Sequence, residues 1–236
     1  MNAVIRKVEG SEPAWRRIRR AIELNPNLTA AHSYYGFLFS FMGRYEEAAT
    51  EARLAVELDP LSPIVHAGAA YVHYVAGNYD VTLQHCQMAL EMDPDFVAAI
   101  WLQGQCALQR GESEKAIQIL RRAVELSLQT PVYVALLAFA CARAGRRAEA
   151  EELLASLQNS TKYVSPGHLL WISVGLGDTE QALRWLEESL ESGVSPAIFY
   201  VIRDELARLQ SDSRFAPLLA RMALGSGSGG SSRAIH

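Results

Sequence analysis

Hydrophobic and polar positions along this chain repeat with a period of about 34 residues, and small residues hold the same places in successive periods. Small side chains let two helices approach closely, so such positions are typical of helix–helix contacts. One set falls in the middle of every second predicted helix: Ala48, Thr82, Ala116, Ala150 and Ala182. A second set follows it in four periods: Ala21, Ala55, Ala89 and Ala123.

Glycine and proline separate the helices within each period. The positions 34 residues apart are Gly43, Gly77, Gly111, Gly145, Pro26, Pro60 and Pro94. A glycine after an apolar stretch ends a helix, and a proline stops the helix that follows. The pattern therefore predicts two antiparallel helices per repeat, and a fixed period of this length predicts an all-α solenoid of stacked helix pairs.

Alignment on the glycines predicts five repeats within residues 29–195, with boundaries near 62, 96, 130 and 162. Residues 1–28 form an N-terminal segment that contains half a repeat, a single helix over about Trp15–Asn25. Residues 196–224 depart from the period and are predicted to form C-terminal capping helices, over about Ala197–Leu209 and Arg214–Met222. Residues 225–236 are rich in glycine and serine, which is typical of a flexible tail.

The repeat resembles the tetratricopeptide repeat family over roughly residues 15–195. Its best-formed repeat carries the small and turn residues of that family: Gly36, Gly43, Tyr45, Ala48, Ala55 and Pro60. Where the family has a large residue early in the first helix, this chain has His32, His66 and Ile100. The resemblance implies a right-handed superhelical array whose first helices line a concave groove and whose second helices form the outer wall.

The segment from Ser211 to Met222 resembles the closing segment of a bacterial subgroup of the family. Members of that subgroup commonly follow a winged-helix, a nucleotide cyclase or a serine/threonine kinase domain. The resemblance implies a regulatory or scaffolding arm of a larger bacterial signalling or transcription protein. Two alternatives stay open: an accessory region of an enzyme whose catalytic domain lies outside this chain, and a self-assembling structural array.

Charge and composition narrow the class of partner. The net charge is −4, and residues 1–20 carry six basic side chains against two acidic ones, so the repeats themselves are acidic. An acidic body is a poor phosphate binder, and we expect no nucleic-acid binding by the array. No run of apolar residues is long enough to span a bilayer and no secretory leader follows Met1, so we expect a cytoplasmic protein without a membrane contact.

Sequence motifs for catalysis, cofactors and metals are absent, so we expect a non-enzymatic protein with none of these sites. His66 and His73 lie seven residues apart on one predicted helix. Two helical turns separate them by roughly 10 Å, too far for a shared ion, so they are predicted to be core histidines. Cys86, Cys106 and Cys141 are predicted to be buried thiols.

The groove positions of the first helices are apolar, whereas acidic clusters such as Glu151–Glu152 fall on the second helices. In the family register, positions 2, 5, 9, 12 and 13 of each repeat line the groove, and Arg143 is the one charge among twenty-five such positions. The predicted protein-binding groove comprises Phe37, Phe41, Tyr71, Tyr74, Trp101, Leu108, Phe139, Arg143 and Trp171. These side chains do not suit a terminal carboxylate or RNA bases, but they suit an apolar helix or peptide.

Two interpretations of this groove stay open. It binds an external protein or peptide, which includes its own upstream domain or a second copy of the chain. Alternatively it is closed internally, by tight curvature or by the chain's own terminus, since an exposed aromatic groove exceeds the apolar area that monomers normally expose.

Overall fold

The computed structural model describes residues 14–194, 197–205 and 212–218, and within these ranges the chain is helical with no strand. The helices, numbered here α1 to α12, are Ala14–Leu24, Thr29–Phe41, Tyr45–Leu58, Pro63–Val75, Tyr79–Met92, Val97–Gln109, Ser113–Leu126, Pro131–Arg143, Arg147–Gln158, Pro166–Leu176, Thr179–Glu191 and Ala197–Val201. The predictions for residues 1–13, for the Gly/Ser tail 225–236 and for much of the capping region 196–224 fall outside the described ranges. Each of the five predicted repeat ranges contains one helix pair, α2–α3 through α10–α11.

Left-handed glycines make the turn inside each helix pair. Gly43, Gly77, Gly111, Gly145 and Gly177 have φ between +70° and +82°. A side chain in that region is disfavoured, and glycine adopts it freely, so the chain reverses within three or four residues. Sequential helices then pack antiparallel, and each pair packs on the next along the array. The all-α solenoid of stacked antiparallel helix pairs predicted from the sequence is confirmed.

The small residues at the middle of the second helices are all fully buried: Ala48, Thr82, Ala116, Ala150 and Ala182 have 0% exposure. The helices pack closely around these positions and leave no space for a larger side chain. This explains why small residues recur there in every repeat. The apolar side chains around them join neighbouring repeats into extended clusters. The stability of each repeat therefore depends on contacts with its neighbours.

The array departs from regularity at its two ends and at one turn. Helix α1 packs on α2 without a partner helix of its own within the described residues, and Leu24 at its end is 70% exposed. Where proline is missing from the third repeat, Leu128 and Gln129 make the turn with φ of +52° and +55°. Among the described residues, no helix has the length and apolar character needed to cross a bilayer.

Candidate protein-binding groove

The first helix of each pair, α2, α4, α6, α8 and α10, contributes one face to a shared surface. Along each helix the side chains at register positions 2, 5, 9, 12 and 13 are separated by three, four, three and one residues. That spacing keeps them on one side of the helix. We call the resulting surface the concave groove, and it divides into two parts that differ in what covers them.

The first part of the groove is occupied by the chain itself. Residues 197–205, here called the C-terminal segment, begin with helix α12 and lie across the first helices of several repeats. Ile198 packs so closely on Gly167 that a methyl group added there would lie 2.0 Å from Ile198 Cδ1. At the other end of the array, the Tyr200 ring lies 6.4 Å from Phe41.

Groove side chains hold the main chain of the C-terminal segment through hydrogen bonds. Trp171 Nε1 donates to the carbonyl oxygen of Ile198 at 2.6 Å. Gln109 Nε2 donates to the carbonyl oxygen of Val201 at 3.1 Å. Both donors bind main-chain carbonyl oxygens. They therefore hold the segment through groups that do not depend on its side chains.

Charged contacts flank the C-terminal segment on both sides. Arg143 Nη1 lies 3.1 Å from Glu205 Oε1, and both side chains are largely buried. Arg203 stands over the ring of Tyr79, 5.6 Å from its centroid, and donates to its hydroxyl. Gly167, Trp171, Arg143, Gln109 and Tyr79 thus form a contact surface for the segment, here called the seat.

The C-terminal segment bears on the two interpretations of the groove that the sequence left open, because over the seat the groove is occupied by the chain itself. Four of the nine predicted groove residues are buried within the chain: Tyr74, Leu108, Phe139 and Trp171 are 0–2% exposed. These side chains pack in the apolar clusters that join neighbouring repeats, and the C-terminal segment adds Ile198, Val201 and Ile202 to one of these clusters. Arg143, the one charged groove residue, already has a partner in Glu205.

The second part of the groove is open, and its lining comes from the N-terminal halves of α2, α4 and α6. It encloses a cavity of about 550 Å³. We call it the open half, and it is lined by Thr29, Ala30, Ser33, Tyr34, Phe37, Asp59, Ser62, Ile64, Val65, Ala67, Gly68, Tyr71, Phe96, Ala98, Trp101 and Leu102. Tyr34 and Ile64 are 61% and 69% exposed there, although both are large and apolar.

An aromatic cluster separates the open half from the C-terminal segment. Tyr71 contacts Phe37 edge-on at 5.6 Å, Phe41 at 6.3 Å and Tyr74 at 6.4 Å between ring centroids. Such edge and tilted pairs are favourable arrangements of aromatic rings. Burial raises the pKa of the Tyr71 phenol well above its ordinary value. Tyr71 thus contacts Phe37 in the lining of the open half and Phe41, whose ring lies beside Tyr200 of the C-terminal segment.

The open half has little charge and one unpaired donor. Asp59 is the single residue among the lining residues named above whose side chain is charged at neutral pH. Trp101 packs edge-on against Tyr133, and its Nε1 has no hydrogen-bond partner among the described residues. A surface of this kind favours an apolar ligand over a charged one.

Of the nine predicted groove residues, Phe37, Tyr71 and Trp101 line the open half. Ile64, at position 2 of its repeat, was among the register positions expected to face the groove, whereas Tyr34 and Gly68 were not considered. Tyr34 and Gly68 occupy position 6 of their repeats, outside the five positions considered. The sequence did contain a signal for this part of the groove: position 6 is an aromatic residue in one repeat, Tyr34, and a mid-helix glycine in the next, Gly68. Closure of the groove by the chain's own terminus was one of the two interpretations left open. The sequence did not give its docking site, because residues 197–205 lie outside the period.

Buried histidines on the helix pairs act as structural groups. His66 Nε2 lies 3.0 Å from the carbonyl oxygen of Pro60, and its Nδ1 lies 3.1 Å from His85 Nδ1. Since a carbonyl only accepts, Nε2 of His66 carries the proton and His85 donates to Nδ1. One period earlier His32 takes the same place, with Glu51 at 2.6 Å instead of His85. Across the described residues, no group of three potential ligands could hold a metal ion.

The three cysteines are buried and unpaired, at Cys86, Cys106 and Cys141. Burial raises the pKa of each thiol to about 12. Only the thiolate is a strong nucleophile or metal ligand, so these side chains are inert packing groups.

Comparison with sequence families agrees with the geometry. Three family models described as tetratricopeptide repeat match residues 74–138, residues 38–95, and residues 131–156 with 173–188. The matches overlap along the array and together cover more than half of the chain. The chain belongs to the tetratricopeptide repeat family. The open half and the seat are thus two parts of the concave surface of a tetratricopeptide array.

Solved structures support the same fold. The chain is 19% identical to PilW, described as a widely conserved type IV pilus biogenesis factor, with a TM-score of 0.59 over 80% of this chain and 90% of that one. Pseudomonas aeruginosa PilF is 20% identical, with a TM-score of 0.54 over 85% and 93% of the two chains. Yeast Tom70 is 17% identical, with a TM-score of 0.56 over 91% and 48%. A search of curated protein sequences finds no match.

Proposed function

We propose that this tetratricopeptide array is a non-enzymatic interaction scaffold that binds an apolar segment of a partner protein in the open half of its groove. The observation that carries the proposal is the exposure of Tyr34 and Ile64 over a cavity of about 550 Å³. Large apolar side chains around a concave site are typical of binding surfaces.

The nature of the ligand is argued from the occupied part of the same groove. The C-terminal segment lies on the seat through aliphatic side chains and main-chain carbonyls. The open half continues that surface past Tyr71 and offers the same kind of apolar lining. A partner segment would bind the open half through the same kind of apolar contact if it placed two or three apolar side chains on Tyr71, Trp101 and Ile64.

Ligand selection followed by mutation tests the proposal. Peptides of twelve residues are selected on the full chain by phage display, and the affinity of a selected peptide is measured for each variant. We expect apolar sequences whose binding changes little with salt, since Asp59 is the single charge in the lining. Truncation of a central aromatic is often worth about 2 kcal/mol or more, so Trp101→Ala should weaken binding at least tenfold.

Two further variants locate the site. At Gly68 an added Cβ meets only Phe37 Cζ, at 3.6 Å, so Gly68→Leu fills the cavity and should abolish binding without loss of fold. The matched control is Glu151→Ala with Glu152→Ala, which changes exposed residues of α9 outside the groove. Selected peptides that bind the Gly68→Leu and Trp101→Ala proteins as tightly as the unmodified chain would exclude the open half as the binding site.

The biological setting is a proposal of its own. The resemblance of residues 211–222 to the closing segment of a bacterial subgroup favours a regulatory arm of a larger bacterial signalling or transcription protein, located in the cytoplasm. The reading frame upstream of Met1 in the parent gene tests it. A winged-helix, cyclase or kinase domain there would support this setting, and an unrelated domain would contradict it.

A further inference from the structure

The C-terminal segment is helical over Ala197–Val201 and over 203–205, with a turn at Ile202, and its buried side chains follow a helical spacing. Its buried side chains are Ile198, Val201, Ile202 and Glu205, with 7%, 3%, 0% and 8% exposure. These residues stand at positions i, i+3, i+4 and i+7, the spacing by which an amphipathic helix presents anchors to a groove. The segment thus carries three aliphatic anchors followed by one carboxylate.

The seat matches that pattern group by group. Gly167 leaves space for Ile198, whose Cδ1 and Cγ1 would lie 2.0 and 2.8 Å from a methyl group placed on that glycine. Arg143 faces the carboxylate of Glu205 at 3.1 Å. Trp171 and Gln109 donate to main-chain carbonyls, which any helical segment in the same place would also present.

Polar pairing between segment and seat is incomplete. Arg143 Nη1 and Glu205 Oε2 are buried, and neither has a hydrogen-bond partner among the described residues, because the ion pair lacks hydrogen-bond orientation. A buried polar atom without a partner disfavours the state that buries it. The contact is therefore less stable than its apolar area alone would make it, which favours exchange with another segment.

We propose that the seat is a second protein-binding surface, and that the C-terminal segment is its built-in ligand. The partner that fits is a helix with aliphatic residues at i, i+3 and i+4 and a carboxylate at i+7, which displaces residues 197–205 from Gly167, Trp171 and Arg143. The seat and the open half lie on opposite sides of Tyr71. This inference does not depend on what the open half binds.

A fluorescent peptide with the sequence of residues 197–205 tests the proposal by anisotropy on the full chain. In the unmodified protein the tethered copy competes at an effective concentration in the millimolar range, so the added peptide should bind weakly. Ile202→Asp weakens the tethered copy, and Glu205→Arg does so by placing a cation beside Arg143. Each variant should bind the added peptide at least tenfold more tightly than the unmodified chain.

A blocking variant shows where the peptide binds. Gly167→Ala places a methyl group where Ile198 must lie, for the tethered and the added copy alike. Combined with Ile202→Asp or Glu205→Arg, it should remove the gain in affinity. Gly68→Leu, which fills the open half instead, should leave that gain in place, so failure of this proposal is distinguishable from failure of the proposed function.

Specificity for the carboxylate gives an independent readout. A peptide with glutamine in place of Glu205 should bind the Ile202→Asp protein at least threefold more weakly than the parent peptide, and Arg143→Gln should abolish that difference. Circular dichroism and thermal melting establish that the variants are folded. The proposal is overturned if folded Ile202→Asp or Glu205→Arg protein gains no affinity, if Gly167→Ala does not remove the gain, or if both opening variants unfold the array.

Discussion

The two parts of the concave groove are built from similar side chains but differ in their exposure to solvent. In the seat, Trp171 is 2% exposed, whereas in the open half Tyr34 and Ile64 are 61% and 69% exposed. The seat is covered by the C-terminal segment, whose Ile198 carbonyl accepts the indole N–H of Trp171. Apolar composition of a groove position therefore indicates that something covers it, but does not say whether the cover is the chain itself or a partner.

The indole nitrogens of two tryptophans, one in each part of the groove, differ in the same way. Trp171 Nε1 donates to the Ile198 carbonyl at 2.6 Å, whereas Trp101 Nε1 has no partner in the described parts of the chain. One indole is satisfied by the segment that covers it. The other belongs to the part of the groove that no described segment covers.

The largest expected difference between the two parts is in stability. Phe139→Ala removes a fully buried ring that packs beside the seat residue Arg143, so it should lower the free energy of unfolding by about 3–5 kcal/mol. Ile64→Ala in the open half truncates a side chain that is 69% exposed and should change it by less than about 0.5 kcal/mol. Urea unfolding followed by circular dichroism measures both. Equal losses would mean that the open half is also part of the core.

Acid should loosen the seat before it affects the open half. Burial lowers the pKa of His168, which packs on Trp171 with ring centroids 5.3 Å apart, to about 4. Its unfolded value is about 6.5, so the unfolded chain binds more protons between these two values. Stability is therefore fully present above about pH 6.5 and falls as the pH drops toward 4, by on the order of 2 kcal/mol for this group.

Variants separate this effect from acid sensitivity elsewhere. The pKa of His85 is also lowered to about 4, by burial and by the neighbouring His66 and His73. Hydrogen exchange of residues 197–205 between pH 7 and 4 reports on the seat, and His168→Gln should flatten its pH dependence. His85→Gln should leave the pH dependence of those residues unchanged. An unaltered profile in His168→Gln would show that His168 does not control the seat.

Removal of the indole N–H should destabilise the protein in one part of the groove only. Trp171→Phe leaves the buried Ile198 carbonyl without its donor and should cost about 1–2 kcal/mol more than Trp101→Phe. Trp101→Phe removes an N–H that is buried without a partner among the described residues. The substitution loses packing volume, but the protein no longer has to bury an unsatisfied donor, so the two effects offset each other. Thermal melting of the two variants shows which of them loses more stability. A larger loss for Trp101→Phe than for Trp171→Phe would contradict the prediction.

The smallest expected effect is a gain in stability at the floor of the open half. Gly68 lies inside α4, and an added methyl group makes only an ordinary contact with Phe37 Cζ at 3.6 Å. Alanine is favoured over glycine inside a helix, so Gly68→Ala should stabilise the fold by about 0.5–1 kcal/mol. Gly167→Ala should instead destabilise it, because Ile198 must move. If Gly68→Ala also destabilises the fold, that side of α4 does not face open space.

Much of the fold could be predicted from the sequence because its determinants are local. Gly43 and Pro60 end helices through their own backbone preferences, and Ala116 marks a close helix contact through its size alone. These effects repeat every 34 residues, so the helix pairs and their order follow without reference to distant parts of the chain. The expectation that His66 is a core histidine rested on the same register, and the structure gives it two hydrogen-bonding neighbours.

The candidate site could be predicted only in part, because burial depends on residues distant in sequence. The sequence predicted that Tyr71, Trp101, Phe139 and Trp171 face one apolar surface, since the spacing within each helix and the repeat register assign them to corresponding faces. Only the tertiary structure decided that residues 197–205 cover the seat and leave the open half uncovered. The physical reason is that this segment lies outside the repeat, and its place depends on the fit of Ile198 to Gly167 and of Glu205 to Arg143, contacts that no local periodicity encodes.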